Sequence, residues 1–241
     1  MVKIDDYILY QDESIIAINK PSGLLSIPDR SGSDGSLKQL LQQQSVKIYT
    51  VHRLDKETSG VIVFAKTEEA HKYFSQQFET RETNKIYNGL VIGIPAITSG
   101  TINEPLAEHP RKKGMMTIYR KGKESITEYK LMESFRFYSW MEFNILTGRT
   151  HQIRVHMKHA GHPIVCDPLY GDGKPIYISR LKNKFKLSQS EEEERPILAR
   201  LALHSSKLTL KQMNGNLYEF EAPLPKDLKA TLNQLSKHTV K

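Results

Sequence analysis

The stretch Val51-His52-Arg53-Leu54-Asp55-Lys56-Glu57-Thr58-Ser59-Gly60, VHRLDKETSG, runs straight into VIVFAK at residues 61–66. The second part reads as a β-strand, because it is β-branched and aromatic and is bounded by polar residues. HRLD reads as the end of that strand, where period-two alternation puts Arg53 and Asp55 on one side and His52 and Leu54 on the other. Two opposite charges then share one small space. A structural ion pair explains that placement as well as a reactive carboxylate does.

Working outward, Ser14 to Asn19 (SIIAIN) reads as a short strand stopped by Pro21 and Gly23. PDRSGSDGS (28–36) is loop by composition, and Ser36 caps a short helix through Gln44 with Leu37, Leu40 and Leu41 on one face. On the other side, Thr67 is the N-cap of a helix carrying Ala70, Tyr73, Phe74 and Phe78 at helical spacing. KIYNGLVIG (85–93) and the alternating segments near 125–131 and 139–146 are further strands, joined by turns rather than by crossover helices. Ile153, Met157 and Ala160 fit a helix from Thr150 to His159 ended by Gly161 and Pro163. The fold class expected is α+β, a mixed and largely antiparallel sheet flanked by helices and loops. SRLKNKFKLSQSEEEER (179–195) segregates its charges and is expected to be an exposed insertion. No internal repeat or clear linker divides residues 1–241, so a single domain is expected.

At 38% hydrophobic and 26% charged, the 241-residue chain has the composition of a folded protein. A formal charge of +8 favours a polyanionic partner, nucleic acid before membrane, because no strongly apolar amphipathic stretch accompanies the basic residues. The start, MVKIDDYILYQDESIIAINK, has acids where a secretory signal needs an apolar run, and no segment approaches the ~18 apolar residues of a membrane span. A cytoplasmic protein is expected. The single Cys166 excludes an intramolecular disulfide and any multi-cysteine zinc site.

Five segments carry the functional signal: NKPSG (19–23), HRLDKETSG (52–60), KIY (85–87), TGRTHQIRVHM (147–157) and GHPIVCDPLYG (161–171). Taken together and in this order, they resemble the motif set of the RluA-type pseudouridine synthases, over residues 14 to 210. The related small-subunit branch typically has glycine before RLD, so His52 and the following TSG point to the RluA branch. The resemblance implies the pseudouridine synthase fold and a cofactor-free isomerase acting on structured RNA, ribosomal, transfer or both. The reaction breaks N1–C1′ of a uridine, turns the base and rejoins it through C5.

By that resemblance Asp55 is the catalytic carboxylate, an anion that can stabilise or trap the electron-poor C1′ as the base departs. Direct attack on C1′ and a glycal route both stay open. Arg154, the second arginine of GRTHQIR, is its counter-charge, because a carboxylate kept from water needs a cation to stay ionised. Arg53 either enters the RNA helix in the space of the flipped uridine or pairs with Asp55. The Tyr87 ring stacks on the uracil, and its hydroxyl is a candidate base for the C2′ proton. Leu203 packs beneath the target base, while Lys20 and Pro21 shape the pocket from behind. Two positions depart from the family: Cys166 stands where glycine is usual before Asp167, and Ser205 stands where alanine is usual after Leu203-His204. Only about thirteen residues precede the first strand, so the N-terminal RNA-binding domain that many relatives carry is expected to be missing. A monomer that grips RNA with its own loops is the expectation.

HPRKKGMMTIYRKGK (109–123) offers such a loop. Arg111, Lys112, Lys113, Arg120, Lys121 and Lys123 stand in it without an acid, and Gly114 and Gly122 suit turns around an MMTIY strand. The segment reads as a protruding basic hairpin that tracks phosphates; a solvated loop without a partner is the plain alternative.

Two other activities compete. His151, His156, His159 and His162 could suggest a metal-dependent nuclease, but His151 and His156 diverge on a helix or a strand and no carboxylate lies between Thr147 and Cys166. HExxH is absent and no metal is expected. A Cys166–His162 nucleophilic pair lacks an orienting third group. The other rival is a catalytically silent RNA-binding protein of the same fold, which the joint presence of Asp55, Arg154 and Tyr87 argues against.

Overall fold

A computed structural model describes residues 4–29, 35–44, 47–182 and 193–239. In chain order the strands are β1 (Ile8–Gln11), β2 (Ile15–Lys20), β3 (Tyr49–Thr50), β4 (Ser59–Ala65), β5 (Asn84–Ile92), β6 (Ser99–Asn103), β7 (Leu106–Glu108), β8 (Met116–Ile118), β9 (Ile126–Ser134), β10 (Tyr138–Ile145), β11 (Leu203–Lys211) and β12 (Leu217–Glu221). The helices are α1 (Leu37–Gln43), α2 (Glu68–Glu79), α3 (Gln152–His159) and α4 (Lys226–His238). The α+β class expected from the sequence is the one observed. The chain divides into two compact units, each assembled from separated segments, so no linker marks a boundary in the sequence.

The first unit gathers residues 1–87, 144–147 and 204–223. Its centre is β4, in which all seven residues are buried, as a run of Val, Ile and Phe without alternation requires. β2 lies antiparallel along one edge of β4, from Ile15 opposite Ala65 to Lys20 opposite Gly60. The other edge is divided. β11 pairs in parallel at Ser59 and Gly60, and β3 pairs antiparallel at Phe64 and Ala65. Gly60 makes the parallel contact possible: its φ is +115°, and a Cβ there would stand 2.1 Å from the Ser205 carbonyl oxygen. α2 starts at Thr67, whose hydroxyl accepts from Ala70 N at 3.1 Å. It seats Ala70 and Phe74 among Ile15, Ala17, Val61, Val63, Leu208 and Leu210. Burying Phe74 alone stabilises this packing by about 2–3 kcal/mol. α1 has the N-cap anticipated at Ser36, and the structure adds a capping box closed reciprocally with Gln39.

The second unit gathers residues 88–143, 148–203 and 224–241. Its strands run in the order β5, β10, β9, β6, and β10 alternates buried Ser139, Met141 and Phe143 with half-exposed neighbours. β7 and β8 form a separate antiparallel hairpin, with Leu106 opposite Ile118 and Glu108 opposite Met116. This is the hairpin expected around MMTIY. Met115, Met116 and Ile118 pack against Leu106, Val155 of α3 and Tyr170. α3 ends at Gly161, with φ +83°. Of the expected insertion, Ile178–Arg180 forms a single 3₁₀ turn with Ser179 and Arg180 exposed, and residues 183–192 lie outside the described residues.

Candidate active site

The segment from His52 to Asp55 is not the end of a strand. It is an extended loop, and β4 begins only at Ser59. A side chain takes the place of a neighbouring strand: Ser26 Oγ accepts from Leu54 N at 3.0 Å and donates to Leu54 O at 2.8 Å. The loop that follows Asp55 is braced in the same way. Ser22 Oγ donates to Glu57 O at 2.6 Å, and Gly23 N donates to Lys56 O at 2.9 Å. Lys20, with no exposed surface, drives its ammonium into the carbonyls of Pro21, Leu24 and Lys56 at 3.0, 2.7 and 2.9 Å. NKPSG is therefore the clamp of the HRLD loop, and Lys20 is occupied in ordering backbone. That agrees with a part played from behind.

His52 packs flat on Phe78, with ring centroids 4.5 Å apart, and its Nε2 accepts from Val63 N at 3.0 Å. That bond leaves the ring hydrogen on Nδ1. Burial, with the nearby Lys85 charge, pushes the imidazole pKa down to about 3, so His52 is a neutral spacer. Arg53 is exposed and Asp55 is half-buried.

Tyr87 stands on β5, 8% exposed, close enough to Asp55 to feel its charge. Burial first, then Asp55, raises the phenol pKa well above its ordinary value, and a hydrogen bond with the Ser205 hydroxyl opposes the rise. Tyr87 therefore rests as a neutral phenol. Acting as a base requires it to lose that proton first, and the Ser205 contact and any neutralisation of Asp55 both favour the loss. Ser205 sits at the Gly60 crossing, so the parallel pairing of β4 and β11 delivers it to the tyrosine. Its neighbour His204, fully buried, joins the same crossing: Nδ1 meets Ser59 Oγ at 3.0 Å and Nε2 donates to Ala222 O at 3.1 Å.

In the second unit, Arg154 lies on α3 at 3% exposure, so it is no surface arginine. Nε and Nη2 each donate to Asp167 at 2.8 Å, a two-pronged pair, and the guanidinium lies 5.0 Å from the centre of the Tyr170 ring. Asp167 also accepts from Leu169 N and Tyr170 N at 2.9 and 3.1 Å. The sequence reading gave Asp167 no duty. The preceding Cys166 adopts φ +58°, which explains physically why glycine suits that position. Its thiol is buried against Lys174 O and Leu198 O, and burial raises its pKa to about 11, the opposite of an activated nucleophile. Leu203 is 3% exposed and abuts Gly89 of β5, where a Cβ would meet its Cδ1 at 3.3 Å.

The histidines of 151–162 disperse. His151, with φ +55°, meets Tyr170 Oη at 2.7 Å; His156 meets Thr127 Oγ1 and Glu104 O at 2.9 and 3.0 Å; His162 meets Ile92 O at 2.9 Å. Among the described residues no three His, Cys, Asp or Glu side chains gather as metal ligands. Arg111, Lys112, Lys113, Arg120, Lys121 and Lys123 are all exposed at the turns that border β8. The tip between β7 and β8 is ordered by His109 Nδ1, which accepts from the backbone of Arg111 and Lys112.

In the first unit a loop carboxylate acts electrostatically on a buried tyrosine, and the second unit carries an exposed basic hairpin, in a chain of +8. The family described as RNA pseudouridylate synthase matches residues 14–159. The chain belongs to this family, in its RluA-type branch, and is an RNA pseudouridine synthase. Ribosomal large subunit pseudouridine synthase D of Escherichia coli K12 is 37% identical over 236 residues, covering 92% of this chain and 68% of the relative. The protein of the same description from Pseudomonas aeruginosa is 38% identical over 228 residues, covering 91% and 68%. Among solved structures, human RNA pseudouridylate synthase domain containing 4 superposes with a TM-score of 0.73 at 25% identity, over 97% of this chain and 94% of that one.

Proposed function

We propose that this enzyme isomerises uridines of ribosomal RNA in the cytoplasm, with Asp55 as the catalytic carboxylate and Tyr87 as its partner at the sugar and base. The observation that carries the reading is the electrostatic influence of Asp55 on Tyr87, two motif residues 32 positions apart in the sequence. The ribosomal substrate rests on the relatives, whose descriptions name the large ribosomal subunit. Transfer RNA is a further substrate that the reading admits.

In this reading N1–C1′ breaks with the electron pair leaving on the uracil while the Asp55 carboxylate balances the charge that develops at C1′. The base turns, C5 bonds to C1′, the C5 proton passes to water and N1 gains one. No atom is gained or lost, and the step calls for no cofactor. Arg154 is assigned as the counter-charge of Asp55. That assignment rests on the GRTHQIR motif; the guanidinium itself is bonded through Nε and Nη2 to Asp167, which fixes its orientation. Arg53, exposed on the loop, serves the space left by the flipped uridine, and Leu203 supports the base. Arg111, Lys112, Lys113 and Lys121 track phosphates along the exposed turns. Release of tritium from ribosomal RNA transcripts labelled at uracil C5 tests the reading, because forming the C5–C1′ bond expels that hydrogen. Release at the same rate after exhaustive chelation is expected. No release from any ribosomal transcript would refute the proposed substrate, and release that zinc must restore would reinstate the metal alternative.

A further inference from the structure

Lys85, the first residue of KIY, lies on β5 two positions before Tyr87, and both are buried, so the pleat sets them on one face of the strand. Their Cα atoms are ~7 Å apart along it. The charge of Asp55 acts on Tyr87, and that of Lys85 acts on His52 of the same loop. The lysine is only 7% exposed, yet among the described residues it has no hydrogen-bond or ion-pair partner. The charge that acts on it worsens the balance, for it is that of Arg81, a second cation. Arg81 is exposed and held at φ +63°, at the turn that feeds β5.

An ammonium that is buried beside another cation and given no anion costs free energy, and proteins ordinarily pair or remove such a charge. Lys20 shows the ordinary solution in the same unit, with three carbonyls around its ammonium. Lys85 has no such cage. Nor is its ammonium sealed, because the fully buried side-chain polar atoms lacking a hydrogen bond are those of Thr50 and Thr83 among the described residues. A window to solvent therefore leads to a cation waiting for an anion.

We propose that Lys85, assisted by Arg81, binds a backbone phosphate of the RNA beside the uridine held at Asp55 and Tyr87. The proposal rests on the reading of Asp55 and Tyr87 as the isomerisation site, one pleat away. A phosphodiester suits the place, since the substrate brings one anion per nucleotide and lysine meets phosphate as a point charge. Burial, with Arg81 adding to it, lowers the Lys85 pKa to about 8, and an arriving phosphate would restore the charged form. The subsite would thus register the strand next to the flipped base, a duty separate from the bulk attraction of the hairpin.

The test is binding of fluorescein-labelled decauridylate across a potassium chloride series by the parent, Lys85→Met and Lys85→Arg. Lys85→Met is expected to weaken binding about tenfold and to flatten the log–log salt slope by ~0.7, the share of one single-strand phosphate contact, while Lys85→Arg keeps the slope. An unchanged slope in Lys85→Met would overturn the proposal. A second measurement needs no variant in the binding arm. In protein labelled at lysine ¹³Cε, the Lys85 resonance, assigned by its loss in Lys85→Arg, should move on saturation with decauridylate. A stationary resonance would overturn the proposal, as would movement caused by inorganic phosphate but not by decauridylate. Tritium release by the parent on ribosomal transcripts is measured alongside; its failure would refute the isomerase reading, whereas the slope and the resonance judge the phosphate contact by themselves.

Discussion

Asp55 and Asp167 are both motif aspartates, and the structure treats them oppositely. Asp167 has no exposed surface and accepts four hydrogen bonds, from Arg154 Nε and Nη2 and from Leu169 N and Tyr170 N. Asp55 is half-buried on a loop whose order comes from its neighbours' backbone, through Ser26, Ser22 and Lys20, and its charge acts on Tyr87. An acid saturated with donors gives its free energy to architecture. The order of the Asp55 loop comes instead from bonds to its neighbours' backbone, and in the proposed reading its carboxylate serves the reacting sugar carbon.

Four substitutions can break or sharpen that contrast. Asp55→Asn is expected to lower turnover by at least ~10⁴-fold with RNA affinity and melting temperature near those of the parent, since the amide keeps the shape and loses the anion. Turnover within tenfold of the parent would make the two aspartates equivalent. Asp167→Asn should instead show in stability: removing one partner of a fully buried pair costs about 3–5 kcal/mol, read as a lowered urea midpoint. An unchanged midpoint would contradict the architectural role. Tyr87→Phe is expected to slow single turnover about 10²-fold with binding nearly intact, the loss of a proton-transfer group. A rate within threefold would leave Tyr87 the stacking role alone. Ser205→Ala restores the residue usual in the family and removes one hydrogen bond from the phenol, so a several-fold change in turnover is expected, with the Tyr87 pKa moving further up. Equal rates across the pH range would dismiss Ser205 as packing.

How much of this was written in the sequence depends on the range of the interaction. β4 was legible because VIVFA is its own signal, and the caps of α1 and α2 were legible because Ser36 and Thr67 act within three residues. The Asp55–Tyr87 juxtaposition was reached through a motif set, not through spacing. The ladder that Ser26 supplies to Leu54 spans 28 residues through one small hydroxyl, so the loop around HRLD was read as the end of a strand. Asp167 went unassigned because its reach to Arg154 depends on the left-handed turn at Cys166, and a cysteine does not announce positive φ as glycine does. Residues 203–239 did carry a usable pattern: Leu208 and Leu210 alternate on β11, and Leu228, Thr231 and Leu235 mark the buried stripe of α4.

The ammonium of Lys20 has a further consequence for what ionic strength can do to this enzyme. Mobile ions weaken the attraction between exposed charges and RNA, but they cannot enter a cage of three carbonyls with no exposed surface. The positive charge under the loop that carries Asp55 is thus fixed by covalent attachment, and neither dialysis nor added salt exchanges it. Concentrated salt should strip this enzyme from its RNA while the loop that carries Asp55 stays in place.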